Sequence, residues 1–276
     1  MKHLFSFIVV ALFLSYGFSF AADVDTVAVP SKGMNINSKT VIITPDNYRQ
    51  GTRYPVLYLL HGYSGNYSDW VKAVPGVKQL SDDYGMIIVC PDGAYGSWYF
   101  DSPVDSAFAY ETYVAKELVE WVDANYKTIP AREGRAITGL SMGGHGGLYL
   151  AFRHQDVFGA AGSMSGGVDI RPFPNNWDIA KRLGKQSDYP ERWEQNTVIG
   201  MLHLLTPNSL KFIIDCGSED FFYDVNVRLH EELLYRNIPH DFISRPGVHD
   251  WKYWSNAVKY QALFFHTYFE EGRSGN

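Results

Sequence analysis

Apolar residues along the chain fall into two alternating rhythms. Short runs dense in aliphatic and β-branched side chains read as strands: Val41–Thr44, Val56–Leu60, Met86–Cys90, Arg135–Gly139, Ala160–Met164, Lys211–Cys216 and Asp241–Ser244. Between them, Ala107 to Lys127 sets Tyr110, Val114, Leu118, Trp121 and Val122 at helical spacing, and Leu148–Phe152, Val225–Leu234 and Trp251–Phe269 read as further helices. Near-continuous apolar strands alternating with helices predict an α/β fold, a mostly parallel sheet with helices on both faces. From Gly167 to Asn208 the rhythm breaks: Pro172, Pro174, Pro190 and Pro207 accompany Trp177 and Trp193, with no strong strand. This stretch is expected to be an insertion over one end of the sheet, either shaping a binding site or serving as a structural excursion.

The N-terminus follows a different logic. A basic start, Met1-Lys2-His3, leads into the apolar run Leu4–Leu14 and then Ser19-Phe20-Ala21-Ala22. This is the pattern of a secretory leader, and cleavage after Ala21 puts Ser19 and Ala21 in the small-residue positions. The expectation is a leader over 1–21 and one catalytic domain over 22–276, secreted or periplasmic. No later stretch of the sequence is long and apolar enough to insert stably in a membrane. Lys and Arg total 24 against 30 Asp and Glu, a formal charge of −6, so nothing here suggests a nucleic-acid partner. The two cysteines, Cys90 and Cys216, sit in apolar runs that read as strands and are expected to be buried free thiols. Aromatic residues make up 16% of the chain, enough for a large core, an aromatic-lined site, or both. With no metal-ligand cluster, phosphate loop or nucleotide fingerprint, the sequence calls for neither cofactor nor metal.

Candidate chemistry centres on Gly139-Leu140-Ser141-Met142-Gly143, which follows a predicted strand and opens a predicted helix. That context is what the Gly-x-Ser-x-Gly motif requires: the serine occupies a strained strand-to-helix turn, and side chains at the flanking positions would strike neighbouring backbone. The turn presents the Ser141 hydroxyl at a helix N-terminus, where developing negative charge is favoured. A serine needs a base to take its proton, and the base needs an orienting carboxylate. In this arrangement the chain order is serine, acid, histidine. His249 follows the last strand in Arg245-Pro246-Gly247-Val248-His249-Asp250-Trp251 and is the candidate base. The acid is expected just after the preceding strand, at Asp220, a short acid on the far side of the Gly217 turn, with its neighbour Glu219 as the alternative, because Asp215 still lies within the strand. Backbone N–H groups of Met142 and Tyr63 are the candidate oxyanion donors, the second from the loop His61-Gly62-Tyr63 after strand Val56–Leu60. His61 is expected to brace that loop.

Together these residues resemble the putative-esterase family of α/β-hydrolases, which includes esterase D, feruloyl esterases, tributyrin esterases and secreted mycolyltransferases. The resemblance runs from about Val41 to Phe269. It is carried by Tyr58-Leu59-Leu60-His61-Gly62, Pro91-Asp92-Gly93, Ser141-Met142-Gly143-Gly144-His145-Gly146, Gly217-Ser218-Glu219-Asp220 and Gly247-Val248-His249-Asp250-Trp251. It implies an α/β-hydrolase fold, a Ser141–His249–Asp220 triad and oxyanion amides at Tyr63 and Met142. Asp92 to Asp101 resembles a loop that borders the acyl or sugar site, so Trp98 and Tyr99, together with Trp177 of the insertion, are expected substrate contacts. The implied activity is that of a secreted serine carboxylesterase acting on a small ester or an acylated carbohydrate, such as acetyl or feruloyl groups on plant polysaccharide. Two other readings stand beside it: acyl transfer to a sugar or alcohol acceptor, and a binding protein with a relict triad.

Overall fold

A computed structural model describes residues 22–49 and 52–274; the expected leader and its cleavage point lie outside them. Eight strands form one sheet in the order β1-β2-β4-β3-β5-β6-β7-β8. They are β1 (Asp23–Ser31), β2 (Ile36–Thr44), β3 (Val56–Leu60), β4 (Ile87–Pro91), β5 (Arg135–Gly139), β6 (Ala160–Met164), β7 (Lys211–Gly217) and β8 (Asp241–Arg245). β1 and β2 form an antiparallel hairpin, β2 lies antiparallel to β4, and β3 through β8 run parallel. The chain therefore has the α/β-hydrolase architecture expected from its sequence, with strand bounds shifted by one residue or none except at β2, which begins five residues before the expected Val41.

Apart from β8 at the edge and Lys211 at the start of β7, the parallel strands are buried on both faces, which explains why those runs are mostly apolar. Alternation sorts their side chains between two cores. Val56, Tyr58 and Leu60 face a layer built from helices Met142–Arg153 and Tyr223–Tyr235 and from the helical stretch spanning 110–125. Leu57 and Leu59 face helices Val77–Tyr84 and Trp251–Ser274 on the other side. Cys90 and Cys216 are free and buried on β4 and β7, which three intervening strands keep apart.

Strand β1 escaped the sequence reading. Its first residues are mostly exposed, with two aspartates and a proline, as suits a sheet edge whose outer rim has no partner to bury against. The 167–208 stretch contains no strand; it supplies helices Ile179–Leu183 and Pro190–Gln195 and a 3₁₀ segment, Val198–Leu204, between β6 and β7. Most of its apolar side chains, including Ile170, Ile179, Leu183 and Trp193, join the first core. The insertion is thus chiefly a packed wall. No helix among the described residues is long and apolar enough to cross a membrane.

Candidate active site

The parallel strands bring three loops together at their carboxyl ends. Ser141 follows β5 with φ 56° and ψ −116°, a left-handed conformation that an L-residue holds only when its surroundings enforce it. They do so at close range. A Cβ on Gly139 would lie 2.6 Å from the Leu60 carbonyl oxygen, and one on Gly143 would lie 2.6 Å from that of His61. Both motif glycines are therefore required by backbone-to-backbone contact between the serine turn and the loop after β3.

His249 comes from the loop after β8, and its Nε2 lies 2.9 Å from Ser141 Oγ. Its Nδ1 lies 2.8 Å from Asp220 Oδ2 and 3.0 Å from Oδ1. An ionised carboxylate only accepts, so Nδ1 carries the proton and Nε2 is left to accept from the serine hydroxyl. Asp220 is itself oriented by the Phe222 N–H at 2.8 Å from Oδ1, and its side chain is buried. Glu219 turns outward to solvent, and its N–H bonds the Gly247 carbonyl. Of the two neighbouring acids, the structure brings Asp220, the one favoured from sequence, to the His249 ring. Asp215, as expected of a strand residue, is instead paired with Arg245 and Tyr253.

Met142 is the first residue of helix Met142–Arg153, so its N–H has no place in the helix ladder. Tyr63 owes its orientation to His61. The Gly93 N–H donates to His61 Nε2 at 2.7 Å, which makes Nδ1 the protonated nitrogen and lets it bond the Gly62 carbonyl at 2.8 Å. In a trans peptide the C=O and N–H point opposite ways, so pinning that carbonyl aims the Tyr63 N–H away from His61. Burial lowers the His61 pKa and holds the ring neutral.

A cleft of about 400 Å³ lies over Ser141. Its walls include Tyr63, Trp177, Phe221, Trp251 and Trp254, and Asp69 is the one carboxylate among the described residues on its lining. Phe221 is 52% exposed. Its ring stands 4.2 Å from that of His249 and stacks on Trp177 at 5.5 Å. Of the three aromatic contacts expected from sequence, only Trp177 lines this cleft. Trp98 and Tyr99 are 1% and 0% exposed and lie beneath it. Trp98 donates its indole N–H to the Trp177 carbonyl and its backbone N–H to Met142 Sδ, and the Tyr99 hydroxyl bonds the His61 carbonyl. Both residues have positive φ, which turns their side chains inward. They brace the site from below. Phe221, Trp251, Trp254 and Asp69 were not singled out as contacts from the sequence. Phe221 directly follows the acid, and the tryptophans lie on the helix after His249, positions that read equally well as core.

Comparison with known proteins finds esterases among the relatives of this chain. An esterase of Mycobacterium tuberculosis is 37% identical over 134 residues, a stretch covering 47% of this chain and 29% of that relative. The chain thus spans less than a third of that protein's length. An acetyl esterase of Caldicellulosiruptor saccharolyticus is 26% identical over 220 residues, 73% of this chain and 79% of the relative. A solved ferulic acid esterase superposes with a TM-score of 0.79 at 29% identity, over 91% of this chain and all of that one. The family model described as "Putative esterase" matches residues 31–264, the greater part of the sequence, and the chain belongs to that family.

Proposed function

We propose that this protein is a serine carboxylesterase that acts outside the cytoplasm through a Ser141–His249–Asp220 triad. The observation that carries the reading is the continuous hydrogen-bond chain from Ser141 Oγ through the His249 ring to the Asp220 carboxylate. Ser141 attacks the ester carbonyl while His249 Nε2 takes its proton. The Tyr63 and Met142 amides stabilise the oxyanion, and the imidazolium, held by Asp220, returns the proton to the leaving alcohol. Water then enters by the same route and releases the acid from Ser141.

The cleft favours neutral esters. Among the described residues no lysine or arginine lines it, and Asp69 opposes an anionic acyl or alcohol group. Its aromatic walls suit a planar acyl group, and the relatives named acetyl esterase and ferulic acid esterase support acetyl or feruloyl esters, as carried on plant polysaccharide. Export is supported by the leader-like N-terminus and by Ala22, whose backbone nitrogen lies 3.1 Å from Asp82 Oδ2. Cleavage after Ala21 would place the new α-ammonium group beside that carboxylate.

The test is a hydrolysis panel of nitrophenyl acetate, methyl ferulate and acetylated xylan, run with the wild type and Ser141→Ala. The variant is expected to lose activity by about 10⁴-fold or more. Hydrolysis that survives at the wild-type rate refutes the mechanism. Intact mass of the exported protein reads the cleavage, and a mass that retains residues 1–21 refutes it.

A further inference from the structure

We propose that Asp215, Arg245 and Tyr253 form a clamp that sets the loop carrying His249 in register with the loop carrying Asp220, and that they act as positioning residues for the reaction. The inference rests on the triad reading above and adds to it what holds the base in place.

Asp215 lies on β7, 0% exposed, five residues before Asp220. Arg245 ends β8, four residues before His249, and its Nη2 pairs with Asp215 Oδ2. Tyr253, four residues after His249 on the last helix, donates its hydroxyl to Asp215 Oδ1 at 2.5 Å. One buried carboxylate therefore ties together the strand before the acid, the strand before the base and the helix after it. Between these anchors the two loops are stitched directly: the Ser218 N–H bonds the Arg245 carbonyl at 2.8 Å, and the Glu219 N–H bonds that of Gly247 at 3.0 Å. The Tyr253 ring packs so closely on the loop that a Cβ on Gly247, at φ 155°, would lie 2.3 Å from Tyr253 Cδ2. With four or five residues from anchor to functional side chain, the loops have little slack.

A buried ion pair is a poor device for stability, because desolvation offsets its attraction and an apolar replacement often serves as well. What such a pair supplies is direction. The Arg245 guanidinium lies over the Tyr260 ring at 4.4 Å and the Tyr253 ring at 5.3 Å, and the Asp215 carboxylate is the ion-pair partner that sets its direction. None of the three residues hydrogen-bonds Ser141, His249 or Asp220; they act through the backbone that carries those side chains.

Tyr253→Phe removes one hydrogen bond and keeps the ring against Gly247; Asp215→Asn keeps the shape and removes the charge. Initial rates with nitrophenyl acetate are normalised to sites titrated by a fluorophosphonate, with thermal unfolding followed in parallel. The expected result for Tyr253→Phe is a kcat per titrated site lowered about tenfold, with KM within about twofold of wild type. A larger fall in kcat is expected for Asp215→Asn. If that variant does not fold, Tyr253→Phe decides alone. A folded Tyr253→Phe protein with wild-type kcat per site overturns the clamp, even if its melting temperature drops, because that is the behaviour of a brace and nothing more. Wild-type hydrolysis by Ser141→Ala overturns the underlying triad reading and the clamp with it. An inert Ser141→Ala beside an unaffected Tyr253→Phe removes the clamp alone.

Discussion

The loops after β3 and β8 leave the sheet at the same end, each with a histidine beside Ser141's turn, yet the two imidazoles are set up for opposite work. His61 is 1% exposed and both of its nitrogens are committed to backbone groups, the Gly62 carbonyl and the Gly93 N–H. His249 has a carboxylate on one nitrogen and the Ser141 hydroxyl on the other. Fixed backbone dipoles on both sides lock a ring as a strut. A carboxylate opposite a hydroxyl lets the ring gain a proton and remain paired. The residue type is the same; the partners decide the role.

The sharpest way to break this comparison is to replace each histidine in turn. His249→Ala is expected to lower kcat for nitrophenyl acetate by about 10⁴-fold or more with little change in unfolding temperature. His61→Ala is expected to cost about 10²-fold to 10³-fold, because the Tyr63 amide loses its aim. It is also expected to lower stability by about 1–3 kcal/mol, since the Gly93 N–H and Gly62 carbonyl lose a buried partner. Equal kinetic losses with equal unfolding temperatures would erase the distinction between strut and base.

A third histidine sharpens the comparison through pH. His145, in the helix that begins at Met142, is buried among Trp98, Phe100 and Tyr149, with Nε2 bonded to the Asn196 carbonyl, and burial lowers its pKa to about 4. Its folded pKa lies below the ordinary value of 6.5, so the unfolded chain binds the extra proton first. This group therefore removes stability as pH falls through 6.5, and its effect levels off below about 4, where it reaches roughly 3 kcal/mol. Urea unfolding from pH 7 to 4 is expected to show a shallower decline in His145→Gln than in the wild type. Parallel curves would mean that the ring is not held neutral.

The smallest effect concerns the cleft wall beside His249. Phe221→Ala is expected to raise KM for methyl ferulate several-fold, in line with loss of about 1 kcal/mol of aromatic contact, and to leave nitrophenyl acetate kinetics within about twofold. Steady-state kinetics with the two esters reads the difference. A loss shared equally by both substrates would make Phe221 a support for the His249 ring, and so a part of the base's own frame.

Much of this arrangement is legible in single segments of the chain. Six of the seven strands found by pattern are buried runs whose composition reports their two-sided burial, β8 at the edge being the exception, whereas β1 hides because exposed polar residues break up its few apolar ones. Gly139, Ser141 and Gly143 can be read because steric demand at a strand-to-helix turn is local, and the order of loops along the chain points to His249. The sequence favours Asp220 over Glu219, but which of the two side chains meets His249 depends on backbone bonds made to a distant loop.

Aromatic residues mark the same boundary most clearly. Sequence alone determined that this chain is rich in aromatic side chains and where they cluster, because composition and spacing are properties of the chain itself. It did not decide that Trp98 and Tyr99 turn inward under the site while Phe221, Trp251 and Trp254 line the cleft. An aromatic ring gains by burial almost anywhere that it fits. Which rings remain at the surface is settled by neighbours far away in sequence: the Trp177 and His61 carbonyls that receive Trp98 and Tyr99, and the His249 ring that Phe221 covers. The local patterns set the elements and the candidate nucleophile, and only packing between loops decided what surrounds it.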